Sequence, residues 1–72
     1  MSGRPIKRSL TLKGHRTSVS LEDAFWKAFC DIASEEGKPI NQLAAEIDAG
    51  RDMNVGLASA MRLFVLHRFM NR

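Results

Sequence analysis

The sequence predicts a mostly α-helical fold with one β-strand near its start, completed by a second copy of the same chain. Three observations predict it. Arg16-Thr17-Ser18-Val19-Ser20-Leu21 alternates as a half-buried strand does. Leu21, Ala24, Phe25, Ala28, Phe29, Ile32 and Ala33 recur at the spacing of one helix face. Finally, 72 residues with a single cysteine can bury only a small core, with no intrachain disulfide to staple it. Oligomerisation is the simplest way to supply what so short a chain lacks.

Within the strand, Thr17, Val19 and Leu21 share one face, and Arg16, Ser18 and Ser20 share the other. Leu10 and Leu12 also alternate, but with parity opposite to that of Val19 and Leu21. Lys13-Gly14-His15 must therefore hold a bulge or a bend. A lone strand leaves its ladder groups unpaired. Unless residues 8–13 fold back on it, its partner is the same strand of a second chain.

The first helix has Glu22 and Asp23 in its first turn, where the helix dipole favours acids, and is stopped by Gly37 and Pro39. A second, shorter helix at 40–49 carries Ile40, Leu43, Ala44 and Ile47 on one face and ends near Gly50. Arg51 to Gly56 reads as a polar linker with Asp52 or Asn54 as N-cap. The third helix runs from about Val55 or Leu57 to Met70. Its middle, Leu63-Phe64-Val65-Leu66, is apolar on every side, which in so small a protein requires burial between two subunits.

Eleven Lys and Arg against eight Asp and Glu leave a net charge of +3, unevenly spread. Residues 1–20 carry +5 with no acid, residues 21–37 carry −4, residues 38–52 carry −1 and residues 53–72 carry +3. A wholly basic start attached to an acidic helix suggests a polyanion partner. Residues 1–7 are expected to be a disordered basic arm ahead of a domain at 8–72. No apolar run approaches the roughly 18 residues of a membrane span, and no signal-peptide core follows Met1, so a cytoplasmic protein is expected.

His15, beside Gly14, reads as a turn residue or a phosphate-facing donor rather than a metal ligand, and His67 as a surface or interface histidine. No Cys, His or carboxylate pairing forms a metal or acid–base site, so neither a cofactor nor enzymatic activity is expected. Trp26 reads as packing against the third helix, and Cys30 as a small buried hydrophobe.

The order of basic strand, acid-capped helix, Gly turn and second helix resembles the ribbon-helix-helix family of Arc/MetJ-type DNA-binding proteins. The residues that carry the resemblance are His15 to Trp26 (HRTSVSLEDAFW), Glu36 to Asn41 (EGKPIN) and Leu57 to Leu66 (LASAMRLFVL). More narrowly, the chain looks like the short stand-alone bacterial members with a GHRTSVSLE strand and a SAxRLFVL helix, over about residues 8–70. The resemblance implies a homodimer in which one strand from each subunit forms an antiparallel ribbon. That ribbon enters the major groove of double-stranded DNA, in a small transcriptional regulator.

Carried over by position, Arg16, Ser18 and Ser20 would contact bases. The amides of Ile40 and Asn41, aided by Lys38, would clamp a phosphate. Arg4, Lys7, Arg8, Lys13 and His15 would add phosphate contacts. Val19, Leu21, Phe25, Phe64 and Val65 would form the dimer interface. Because this chain has a third helix, the clamp could instead sit near Asn54 to Leu57. Arg16 is the only one of the three base readers able to hold a guanine edge bidentately. The alternatives are an antitoxin, disfavoured because the third helix ends near the terminus and leaves no tail for a toxin, or a protein-interaction module that keeps the dimer fold with weak or lost DNA binding.

Overall fold

The computed structural model describes residues 3–71. Two strands open the chain, β1 (Ile6–Leu12) and β2 (His15–Leu21), and they pair antiparallel as a hairpin. The chain thus has two strands where the sequence predicts one, and residues 8–12 fold back on β2, the arrangement the sequence left open. The expected break at Lys13-Gly14-His15 is the turn itself. Leu12 lies opposite His15, and the two linking residues both have positive φ, +52° at Lys13 and +84° at Gly14. Two positive-φ residues match the right-handed twist of the flanking strands, and Gly14 takes that conformation at no steric cost.

The opposite parity of the two apolar pairs now has a physical account. A two-residue loop sets even-numbered positions of β1 against odd-numbered positions of β2, so Leu10 and Leu12 share a face with Val19 and Leu21. β1 begins at Ile6, so Ile6 and Lys7, at the end of the expected disordered arm, stand in the ladder opposite Leu21 and Ser20.

Three helices follow: α1 (Asp23–Glu35), α2 (Ile40–Gly50) and α3 (Leu57–Met70). The end of α1 is closed by two bonds, Lys38 N–H to the Ala33 carbonyl at 2.9 Å and Gly37 N–H to the Ser34 carbonyl at 3.1 Å. Gly37, at φ +68°, supplies the left-handed residue this cap needs. Gly56, rather than Asp52 or Asn54, is the N-cap of α3.

α2 packs against β1 and α3, α1 against α3, and α3 beside β2. Between these elements lies one core of Leu10, Val19, Leu21, Phe29, Ile32, Ala33, Leu43, Ala44, Met61 and Val65. Val19, Leu21 and Val65, expected to face a second chain, are thus buried inside their own. Phe25 and Phe64 are half-buried against the same cluster. β1 and α1 cover what a partner was expected to cover. α3 is buried at Met61 and Val65 alone, and its opposite face is open.

Candidate nucleic-acid interface

The hairpin register sets Lys7 opposite Ser20, Ser9 opposite Ser18, and Thr11 opposite Arg16. Directly opposed residues point to the same side of a sheet, and these six alternate with the core-facing set. All six are exposed. The outer face of the ribbon is thus wholly polar, with two cations, four hydroxyls and no acid. At about 3.3 Å per residue, seven-residue strands make a ribbon roughly 20 Å long. A two-stranded ribbon of this width fits the major groove of DNA.

Two helices hold the ribbon by its edges. The Thr11 N–H, on the outer edge of β1, donates to Asn41 Oδ1 of α2 at 3.0 Å. On the other edge, the Ser20 carbonyl accepts from Arg62 Nη2 of α3 at 3.1 Å. Arg62 also donates to Glu22 Oε1 at 2.9 Å, and this bond is the main reason the Glu22 carboxyl titrates below its ordinary value. The presented face is fastened to the body at both sides, so its six side chains are held in one plane.

The sequence-predicted contacts divide into two groups. Arg16, Ser18 and Ser20 lie on the outer face as the alternation requires, with Lys7 beside them and Lys13 exposed at the turn. Arg4 is exposed just ahead of β1.

The rest are turned elsewhere. Arg8 stands opposite Val19 on the inner face, paired with Asp23 and with its guanidinium 5.3 Å from the Trp26 ring centre. Trp26 is therefore covered by an arginine of β1 and stacked on Phe29 at 5.8 Å. His15 shares the inner face with Leu12 and Thr17, at the mouth of an open cavity of about 360 Å³ between the hairpin tip and the two last helices. Thr17 faces inward as predicted, yet it is exposed, because that cavity lies beneath it.

At the start of α2 the first helical bond is Leu43 N–H to the Pro39 carbonyl, which leaves the Ile40 and Asn41 amides without a helical acceptor. Around them Lys38 Nζ is paired with Glu36 at 3.2 Å and Glu46 at 2.8 Å. The bond from Lys38, with a second from Gln42, also pulls the Glu46 carboxyl below its usual value. Lys38 is thus neutralised within the chain. The Asn41 side chain serves the ribbon edge, so this helix start lies next to β1 in space.

Ser9 and Thr11 are the outer-face residues that the sequence reading missed. The signal was present in the parity of Leu10 and Leu12, since whatever turns those two inward turns Ser9 and Thr11 outward.

Among the described residues, no group of three or more His, Cys, Asp or Glu could hold a metal ion. None of the helices described is long and apolar enough to cross a membrane.

The model of the ribbon-helix-helix domain matches residues 5–69, nearly the whole chain and both strands included. The chain belongs to this family. Ribbon-helix-helix domains are typically those of DNA-binding regulators, and they generally dimerise. No curated relative and no solved structure matches the chain. The matched residues take in both strands of the hairpin and nearly all of the three helices.

Proposed function

We propose that this protein is a small homodimeric bacterial transcriptional regulator of the cytoplasm that places the outer face of its β-ribbon in the major groove of double-stranded DNA. The observation that carries the reading is the ribbon face itself: six exposed polar side chains, two of them cationic, on a strip free of acids. Arg16 is the reader with most discrimination, through a bidentate contact to a guanine edge. Ser18 and Ser20 add short, degenerate contacts. Lys7, Lys13 and Arg4 contribute phosphate contacts, and the free amides of Ile40 and Asn41 offer a further one. Nothing in this scheme requires a cofactor or a reaction.

Selection of genomic fragments by the purified protein at stated salt tests the proposal. A shared sequence recovered from independent fragments, with affinity falling steeply as salt rises, supports it. A second reading, a protein-interaction module or antitoxin on the same fold, draws on the exposed apolar residues of α3. A salt-independent interaction with a co-purifying protein, and no enriched DNA, would favour that reading instead.

A further inference from the structure

The hairpin is fastened to the helices at two diagonal points. The Thr11 N–H points out of the ladder to Asn41, and antiparallel alternation then turns the backbone groups of Ser20, opposite Lys7, outward as well. The Ser20 carbonyl is thereby open on the other edge, where Arg62 Nη2 reaches it at 3.1 Å. Lys7 and Thr11 lie about 13 Å apart along β1, at roughly 3.3 Å per residue. Asn41 thus holds the turn end of the ribbon, and Arg62 holds the open end.

Arg62 also reaches past the strand. Its Nε donates to Glu22 Oε1 at 2.9 Å, and its guanidinium carbon lies 5.9 Å from the centre of the Phe25 ring. Ser20, Glu22 and Phe25 belong to the end of β2, the N-cap of α1 and its first turn. One side chain, 29% exposed, therefore clasps the whole corner between ribbon and helix.

We infer that Arg62 is a positioning residue for the reading face: it sets the angle at which the ribbon stands on the helices, without touching DNA itself. The consequence for DNA rests on the proposed function; the clasp rests on the geometry of the corner. Glu22 already meets the charge of Arg62, and two of its donors are in use. A corner free to hinge would keep all six side chains of the outer face yet present them at varying angles. Only the fraction at the competent angle would bind.

Arg62→Lys isolates the geometry, because it keeps the charge and loses the planar fork that spans two acceptors. Binding to a fragment recovered by genomic selection should weaken about tenfold, as if one molecule in ten held the competent angle. The salt slope should not change, since no phosphate contact is lost. Arg68→Ala removes a charge from the same helix but serves Glu36 and Phe64, and should bind within about threefold of the parent. Glu22→Ala removes the acceptor and one negative charge. Charge alone would tighten its binding to DNA, whereas a loosened corner weakens it.

Amide hydrogen exchange without DNA gives the second readout. By the same alternation, the N–H groups of Arg8 and Val19 point into the ladder towards the open end, and those of Leu10 and Thr17 towards the turn. In Arg62→Lys the first pair should exchange about tenfold faster and the second pair at the parental rate, because the opening is local. Parental affinity in Arg62→Lys, a changed salt slope, tighter binding by Glu22→Ala, or equal acceleration at both ends of the hairpin each overturns the inference. Should Arg62→Lys misfold, Glu22→Ala carries both readouts. If the parent selects no DNA, the DNA-binding reading fails by itself, and the exchange contrast between the two ends still decides the role of Arg62.

Discussion

Leu10→Ala separates a ribbon closed within the chain from one shared between chains. Leu10 is 2% exposed and reaches the core only because β1 folds back on β2. Truncating a buried leucine costs about 2–5 kcal/mol, the lost transfer energy plus the cavity left behind. At roughly 0.05–0.15 kcal/mol per residue, a chain of 72 residues has about 4–11 kcal/mol in all. A loss near 3 kcal/mol would then remove a quarter or more of the stability and lower the midpoint temperature by roughly 12–24 °C.

Urea unfolding at one fixed protein concentration, followed by circular dichroism and Trp26 fluorescence, measures it. Ser9→Ala serves as the control, since its side chain lies on the outer face of the same strand and should change stability by less than about 0.5 kcal/mol. If Leu10→Ala behaved like Ser9→Ala, β1 would not cover the core and the hairpin would be refuted.

Arg16→Ala should cost about 1–3 kcal/mol on a selected DNA site and relax the preference at one base pair, and Ser18→Ala should cost less, by quantitative binding at fixed salt. Thr17→Ala should leave the preferred sequence unchanged; a Thr17 that controlled it would place the ribbon one residue out of register. Gly14→Ala should destabilise by roughly 1–2 kcal/mol in the same urea assay, because φ at this turn is +84°. Glu22 titrates below its ordinary value of 4.5, held down mainly by the Arg62 hydrogen bond, so its contribution to stability is whole above that value and lost as pH falls through the lower folded-state value. Urea midpoints taken from pH 6 downward should therefore fall more steeply in the parent than in Glu22→Gln.

The helices were legible because each carries its own signal. The stripe from Leu21 to Ala33, the Gly37 cap and the break before Leu57 are local, and the structure repeats them with shifts of a residue or two. The outward set Arg16, Ser18 and Ser20 was legible for the same reason, since strand alternation is set by the backbone. The hairpin was half legible. The parity of Leu10 and Leu12 demanded an irregularity at Lys13-Gly14, but a bend, a bulge and a reversal all satisfy that demand. Only the contact of β1 with the helices selects the reversal.

Residues whose role depends on a distant partner were the hardest to place. Arg8 and Lys38 look like free cations in the sequence, and each is taken up by acids brought to it by the fold: Asp23 for Arg8, Glu36 and Glu46 for Lys38. The apolar run Leu63 to Leu66, expected to be buried between two subunits, leaves Leu63 and Leu66 exposed on the single chain. It could not say which side stays open, because that depends on where α1, α2 and β2 meet the helix.

The two residues of the turn also decide how the ribbon comes into being. Strands supplied by separate chains can meet only by diffusion, at a rate set by how many copies are present. Strands joined by Lys13 and Gly14 close locally, on the timescale of about 1–10 μs typical of hairpins. A newly made chain can thus complete its ribbon unaided, and its refolding rate should not depend on protein concentration. Even at a few copies per cell, such a chain would have its polar outer face formed before it encountered another of its kind.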